Sequence, residues 1–137
     1  MQVSEVACWG VQTKSRKSAA ARDVPSRRSP CPVACALDVF GDRWTLLIVR
    51  DLVVGRNRFK DFSSSPEGIP TNILSERLER LLAHQIVQQI PSADGTKHLA
   101  YALTEKGEAL RPLLKAMRNW GLTWEPGTQA KLAAVIG

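Results

Sequence analysis

Thr71-Asn72-Ile73-Leu74-Ser75-Glu76-Arg77-Leu78-Glu79-Arg80-Leu81-Leu82-Ala83-His84, followed at once by Gln85-Ile86-Val87-Gln88-Gln89-Ile90, decides the fold. In the first part Leu74, Leu78, Leu81 and Leu82 recur at the spacing of one helix face. Thr71 is expected to cap this helix, which runs from Asn72 to about His84. The second part, Ile86 to Ile90, reads as a strand, and His98 to Leu103 reads as its partner. Between them Pro91-Ser92-Ala93-Asp94-Gly95-Thr96-Lys97 carries an Asp-Gly turn, the short-range signal of a hairpin.

Working outward from this helix and hairpin, the chain is punctuated by glycine, proline and capping residues. Upstream, Pro66-Glu67-Gly68-Ile69-Pro70 forms a turn. Before it lie Arg56-Asn57-Arg58-Phe59 and a short helix to about Ser64. Gly55 closes an earlier helix, Arg43 to Val54, which is apolar around much of its circumference through Trp44, Leu46, Leu47, Ile48, Leu52 and Val53. Such a helix belongs at the centre of a core. Asp42 is placed to cap it, and Gly41 ends a first helix that starts at Pro32 with Cys31 in the cap position. Downstream, Thr104 caps a last helix reaching Trp120 or beyond, and Pro112 is expected to kink it by removing a backbone donor.

The order helix, helix, short helix, turn, helix, strand, strand, helix is that of a winged helix-turn-helix. The fold class is α+β, mostly helical, with a two-stranded wing. Residues 1–29 read as a basic, disordered arm or simply a solvated tail. Residues 30–124 read as the winged domain, and 125–137 as a C-terminal tail.

Charge alone is weak support for a nucleic-acid partner. The net charge is +6, but residues 1–30 hold six of the 19 basic groups and only two acids. That leaves the remainder close to balance, so a DNA surface has to come from placement. No run approaches the roughly 18 apolar residues of a membrane helix, and Met1 to Gly10 lacks the pattern of a secretory signal. A cytoplasmic protein is therefore expected. Three cysteines, Cys8, Cys31 and Cys35, argue against a disulfide scaffold.

Several segments together resemble the HxlR-type regulators. They are Cys31-Pro32-Val33-Ala34 to Leu37-Asp38, Gly41-Asp42-Arg43-Trp44-Thr45-Leu46-Leu47-Ile48, Arg50-Asp51-Leu52 and Arg58-Phe59. The match continues through Leu74-Ser75-Glu76-Arg77-Leu78-Glu79-Arg80-Leu81 and Tyr101-Ala102-Leu103-Thr104-Glu105-Lys106-Gly107, and ends near Pro112 and Trp120-Gly121. The resemblance covers about residues 31–121. It implies a bacterial dimeric repressor or activator whose N-terminal and C-terminal helices pair across a two-fold axis. It also implies that Cys31, at the Cys-Pro position, senses oxidants or electrophiles in some members. Cys35 and Cys8 depart from the pattern.

With its apolar stripe turned inward, the helix 72–84 shows Asn72, Glu76, Glu79, Arg80 and Ala83 on the opposite face, with Thr71 and Ser75 at its entering end. Asn pairs with adenine edges, Arg with guanine, and Glu accepts from cytosine. Thr71, Asn72, Ser75 and Glu76 are the expected groove readers, joined by Arg80. Arg77 admits two readings, a DNA contact or an ion pair with an acid of a neighbouring helix. Arg56, Arg58 and Lys60 are either phosphate holders or an ordinary solvated face, and Lys97 on the wing is placed to reach the minor groove or backbone.

Cys31 at a helix N-terminus has a reason to be reactive, because the helix dipole and its amides stabilise a thiolate. A buried, inert cysteine is the other reading. Cys31 and Cys35 lie four residues apart on one face, marginal for an internal disulfide, so a bridge between subunits stays open. No spacing supports zinc, and no cofactor is implied. The chain has no phosphate-binding glycine loop, metal-binding His-Glu motif or nucleophile elbow, so an enzyme is not expected. The expected partners are double-stranded DNA with a pseudo-palindromic operator, a second copy of the chain, and a small-molecule or oxidant effector. The reading from another class is a winged-helix protein-interaction module without specific DNA binding.

Overall fold

The computed structural model describes residues 27–129, so most of the arm, including Cys8, and the end of the tail lie outside the described residues. The chain divides into two compact units after Gly41, each described by itself.

The first unit contains α1, Pro32–Phe40. Proline at its start supplies a pre-set φ where a backbone donor has no partner anyway. Cys31 is the N-cap residue, as expected, and Gly41 closes the helix with its N–H donating to the Leu37 carbonyl at 2.7 Å. No residue of α1 is buried, and Val33 and Leu37 are 61% and 50% exposed.

The second unit runs through α2 (Thr45–Val53), α3 (Phe59–Ser63), α4 (Thr71–Ala83), β1 (Val87–Pro91), β2 (Leu99–Leu103), α5 (Glu105–Glu108) and α6 (Arg111–Trp124). The strands form one antiparallel hairpin in which Val87 faces Leu103 and Pro91 faces Leu99. Helix α2 packs on α3, β2 and α6, while α4 packs on α3 and β1. The core they share is Ile48, Val49 and Val53 of α2, Phe62 of α3, Leu74, Leu78 and Leu81 of α4, and Ile86, Val87, Ala100 and Leu114. The three leucines come from the expected stripe. Their burial, at about 1.5–3 kcal/mol for each fully buried side chain, fixes which face of α4 is left to solvent.

Four local expectations are corrected. Helix α2 starts at Thr45, not Arg43. Asp42 still caps it, but from a turn, accepting from the Trp44 and Thr45 amides at 3.0 and 3.1 Å and from the Thr45 hydroxyl at 2.5 Å. Thr71 does not cap α4: it is the first helical residue, behind an extended Pro70, and no side chain caps this end. Leu46, Leu47 and Leu52 of α2 are only half-buried, so the helix is central on one side rather than enclosed.

The expected last helix is two helices. Thr104 caps the short α5 through its hydroxyl, which accepts from the Gly107 amide at 3.1 Å. The helix then breaks at Ala109–Leu110, and Pro112 stands in the first turn of α6. Within a continuous helix its ring would clash with the carbonyl four residues back. Starting a new helix removes that conflict. The break also lets Gly107 sit against the Ile86 carbonyl, closer than any β-carbon could.

Candidate nucleic-acid interface

Helices α3 and α4, joined by the turn 64–70, form the helix-turn-helix, and the hairpin after them forms the wing. With Leu74, Leu78 and Leu81 buried, α4 presents Thr71, Asn72, Ser75, Glu76, Glu79 and Ala83 to solvent. The expected groove readers thus share one exposed face. Arg80 is half-buried on its flank. Lys97 is exposed on the wing, where it lines an open groove of about 680 Å³ with Arg58, Phe59, Lys60 and His98.

Three of the expected DNA-contacting arginines hold the scaffold instead of standing clear of it. Arg77 donates from Nε to Asp42 Oδ2 at 2.8 Å and from Nη1 to Glu76, with only 18% of its side chain exposed. The ion pair with an acid at a neighbouring helix, one of its two readings, is therefore present. Arg56 Nη2 donates to the Asp61 carbonyl at 2.6 Å and to the Ser64 hydroxyl at 3.1 Å, closing the end of α3. Arg58 Nη1 reaches Asp94 on the wing at 2.8 Å, and its Nη2 donates to the Thr96 hydroxyl at 3.2 Å.

Asp42 joins the start of α2 to the middle of α4. Its partial burial alone would raise its pKa. The hydrogen bonds from the Thr45 hydroxyl, Arg77 and the Trp44 and Thr45 amides outweigh that and hold it well below the usual carboxylate range.

A second anchor escaped sequence reasoning. Asp51, 3% exposed, accepts from the Ser65 hydroxyl at 2.5 Å and from Arg50 Nε and Nη2 at 3.1 and 2.9 Å. Arg50 also forks onto both Glu67 oxygens at 2.8 and 3.0 Å. This bidentate geometry is the strong form of the carboxylate–guanidinium pair. The Arg50 hydrogen bond draws the Glu67 carboxyl below its ordinary value, and Glu67 in turn raises the Arg50 guanidinium above its own. The network ties the end of α2 to the turn ahead of α4 and so sets where α4 begins. Its one sequence signal is an Arg-Asp pair inside an otherwise apolar helix. Asp61, three residues after Arg58, is a further anchor: its Oδ2 accepts from the Asn57 and Arg58 amides at 3.2 and 3.1 Å.

The hairpin is fixed to the same segment. The Tyr101 amide donates to the Asn57 carbonyl at 2.9 Å, and the Tyr101 ring lies 6.0 Å from that of Phe62. In the first unit, the Cys31 amide donates to the Ser29 hydroxyl at 3.1 Å and Cys35 Sγ donates to the Ser29 carbonyl at 3.3 Å. Both cysteines are half-buried thiols. Among the described residues no helix is long and apolar enough to cross a membrane.

Known proteins share this arrangement. The profile of the HxlR-like helix-turn-helix family matches residues 39–129. The transcriptional regulator YodB of Bacillus subtilis is 34% identical over 99 residues, spanning 71% of this chain and 88% of its own. Its reduced form superposes with a TM-score of 0.59 at 34% identity, over 72% of this chain and 98% of that one. PA1607, solved as a candidate transcription factor, gives 0.67 at 44% identity, over 74% and 72% of the two chains. The redox regulator HypR in its reduced form gives 0.60 at 30% identity, over 67% and 91%. The chain belongs to the HxlR-like helix-turn-helix family and is a transcriptional regulator of that type, not an enzyme.

Proposed function

We propose that the protein binds operator DNA sequence-specifically as a homodimer and represses transcription, with Cys31 as the thiol through which oxidants or electrophiles release it. The observation that carries the DNA reading is the exposed polar face of α4, where Thr71, Asn72, Ser75 and Glu76 stand together opposite a buried leucine stripe. These side chains suit base edges in a major groove. Lys97 on the wing serves the backbone, and Arg80 flanks the readers. Arg56, Arg58 and Arg77 act first as supports for the reading helix.

The dimer reading rests on apolar surface. Val33 and Leu37 of α1, and Met117, Trp120 and Trp124 of α6, are 49–66% exposed, more large apolar surface than a lone helix face leaves in water. The domain that dimerises is taken as residues 30–124, with 1–29 as a basic arm and 125–137 as a tail. The thiol reading rests on Cys31 at the N-terminus of α1 and on the relatives: YodB has also been solved with quinone bound, and HypR in an oxidised form.

Gel shift on DNA flanking the protein's own gene, with and without oxidant, tests the proposal. A specific shift lost on oxidation, but retained under oxidant in Cys31→Ser, supports it in full. A shift indifferent to oxidant removes the thiol switch and leaves the regulator. No shift in either state, on this or other palindromic promoter fragments, favours a protein-interaction module.

A further inference from the structure

We propose that Asp94, on the wing, is an internal phosphate mimic: its carboxylate occupies the Arg58 guanidinium and withholds that charge from the DNA backbone until a phosphate competes for it. The inference rests on the DNA-binding reading above and adds a device that limits nonspecific affinity.

Three observations carry it. First, the pair spans 36 residues, joining the entry to α3 with the wing turn, and places Arg58 Nη1 2.8 Å from Asp94 Oδ2. Nη2 of the same guanidinium meets the Thr96 hydroxyl at 3.2 Å, so two wing oxygens hold the fork as two phosphate oxygens would. Second, Arg58 is held ready for this. Its amide is fixed by Asp61, and the neighbouring Asn57 carbonyl is bound by the Tyr101 amide. Third, Arg58 lines the open groove that also takes Lys60, Lys97 and His98, the cationic lining a phosphodiester strand would seek.

The acid itself is built into the turn. Gly95 has a φ of +76°, and Asp94 Oδ1 accepts from the Ser92 hydroxyl at 2.7 Å and the Thr96 amide at 3.0 Å. These two bonds, the Ser92 hydroxyl first, hold the Asp94 carboxyl well below the usual carboxylate range, so it is ionised at neutral pH. Arg58 and Asp94 side chains are 34% and 46% exposed, within reach of an incoming strand. At that exposure an ion pair has a small net strength, which is what a displaceable latch needs. A fixed brace would need a buried pair.

The test is fluorescence anisotropy of the full chain on a mixed-sequence DNA duplex across a salt series. The variants are Asp94→Asn, Arg58→Ala and the double substitution. Asn keeps an oxygen for Ser92 and Thr96 while removing the charge. Asp94→Asn is expected to bind several-fold more tightly at low salt. Its log–log salt slope should be steeper by about 0.9 per protomer, the value for one further phosphate contact. Between about 50 and 200 mM salt its advantage should therefore shrink by about 3.5-fold per protomer. The double variant should fall back to the Arg58→Ala value. A gain that persists without Arg58 overturns the mimic in favour of through-space repulsion, and weaker binding by Asp94→Asn overturns it in favour of a wing brace. Wild-type protein that binds no duplex even at low salt overturns the DNA-binding reading itself, and this proposal with it.

Discussion

Asp42→Ala should weaken the fold and misplace the reading helix in one step. The carboxylate accepts the Trp44 and Thr45 amides, the Thr45 hydroxyl and Arg77 Nε. Loss of a helix cap costs about 1 kcal/mol. A hydrogen bond to a charged group is worth about 1.5–3 kcal/mol, and the lower end applies because the Asp42 and Arg77 side chains remain 21% and 18% exposed. The sum is about 2–3 kcal/mol, or a fall in Tm of about 10–20 °C for a domain of this size. Circular dichroism melts of wild type, Asp42→Ala, Arg77→Met and the double variant measure it, and the two sites should couple by about 1 kcal/mol.

The same carboxylate has a pH signature. Its folded pKa is depressed, so its contribution is present above the unfolded value of about 3.9 and is lost as pH falls toward the folded one. The gap between wild type and Asp42→Ala should hold at neutral pH and narrow below about pH 4. If the two sites prove additive, or if Asp42→Ala melts within about 4 °C of wild type, Asp42 does not join α2 to α4 as argued. Arg77→Met should also leave the salt slope of DNA binding unchanged, since Arg77 is assigned to the scaffold and not to a phosphate.

Asp51→Ala removes one partner from a buried ion pair and should cost about 3 kcal/mol, the low end for such a loss because Arg50 keeps Glu67; urea unfolding reads this. Gly107→Ala would press its methyl group on the Ile86 carbonyl, a backbone atom that cannot swing aside, and should cost about 1–3 kcal/mol in the same assay. Asn72→Ala and Ser75→Ala should do the opposite kind of damage: stability within about 0.5 kcal/mol of wild type, with about 1–3 kcal/mol of discrimination between operator and mismatched DNA lost for each base pairing removed.

The features legible in the amino-acid sequence are those that depend on neighbours along the chain. Pro32 and Gly41 bracket α1 at the expected residues, and the leucine stripe orients α4. Asp94-Gly95 marks the hairpin turn. Placement goes astray where two local signals compete. Asp42 could cap at once or from a turn, and the chain turns first because its carboxylate also serves Arg77. Pro112 could kink a helix or begin one, and it begins one. The partners of Arg56, Arg58 and Arg77 are harder to read from sequence. Asp94 lies 36 residues from Arg58 and Asp42 lies 35 from Arg77, distances over which no periodicity carries information. The Asp51–Ser65 bond is hidden for the same reason, since it forms only once α2 and the turn before α4 are packed.

The central claim is that the exposed face of α4 reads base sequence in a two-fold arrangement. Selection of binding sites by the full-length protein from a pool of random DNA duplexes, run beside Asn72→Ala, tests it most directly. The account predicts enrichment of a rough palindrome with half-sites about one DNA turn apart. It also predicts that Asn72→Ala relaxes preference at one position in each half-site. Enrichment of no sequence, or of the same sequence with the same stringency by Asn72→Ala, would contradict it.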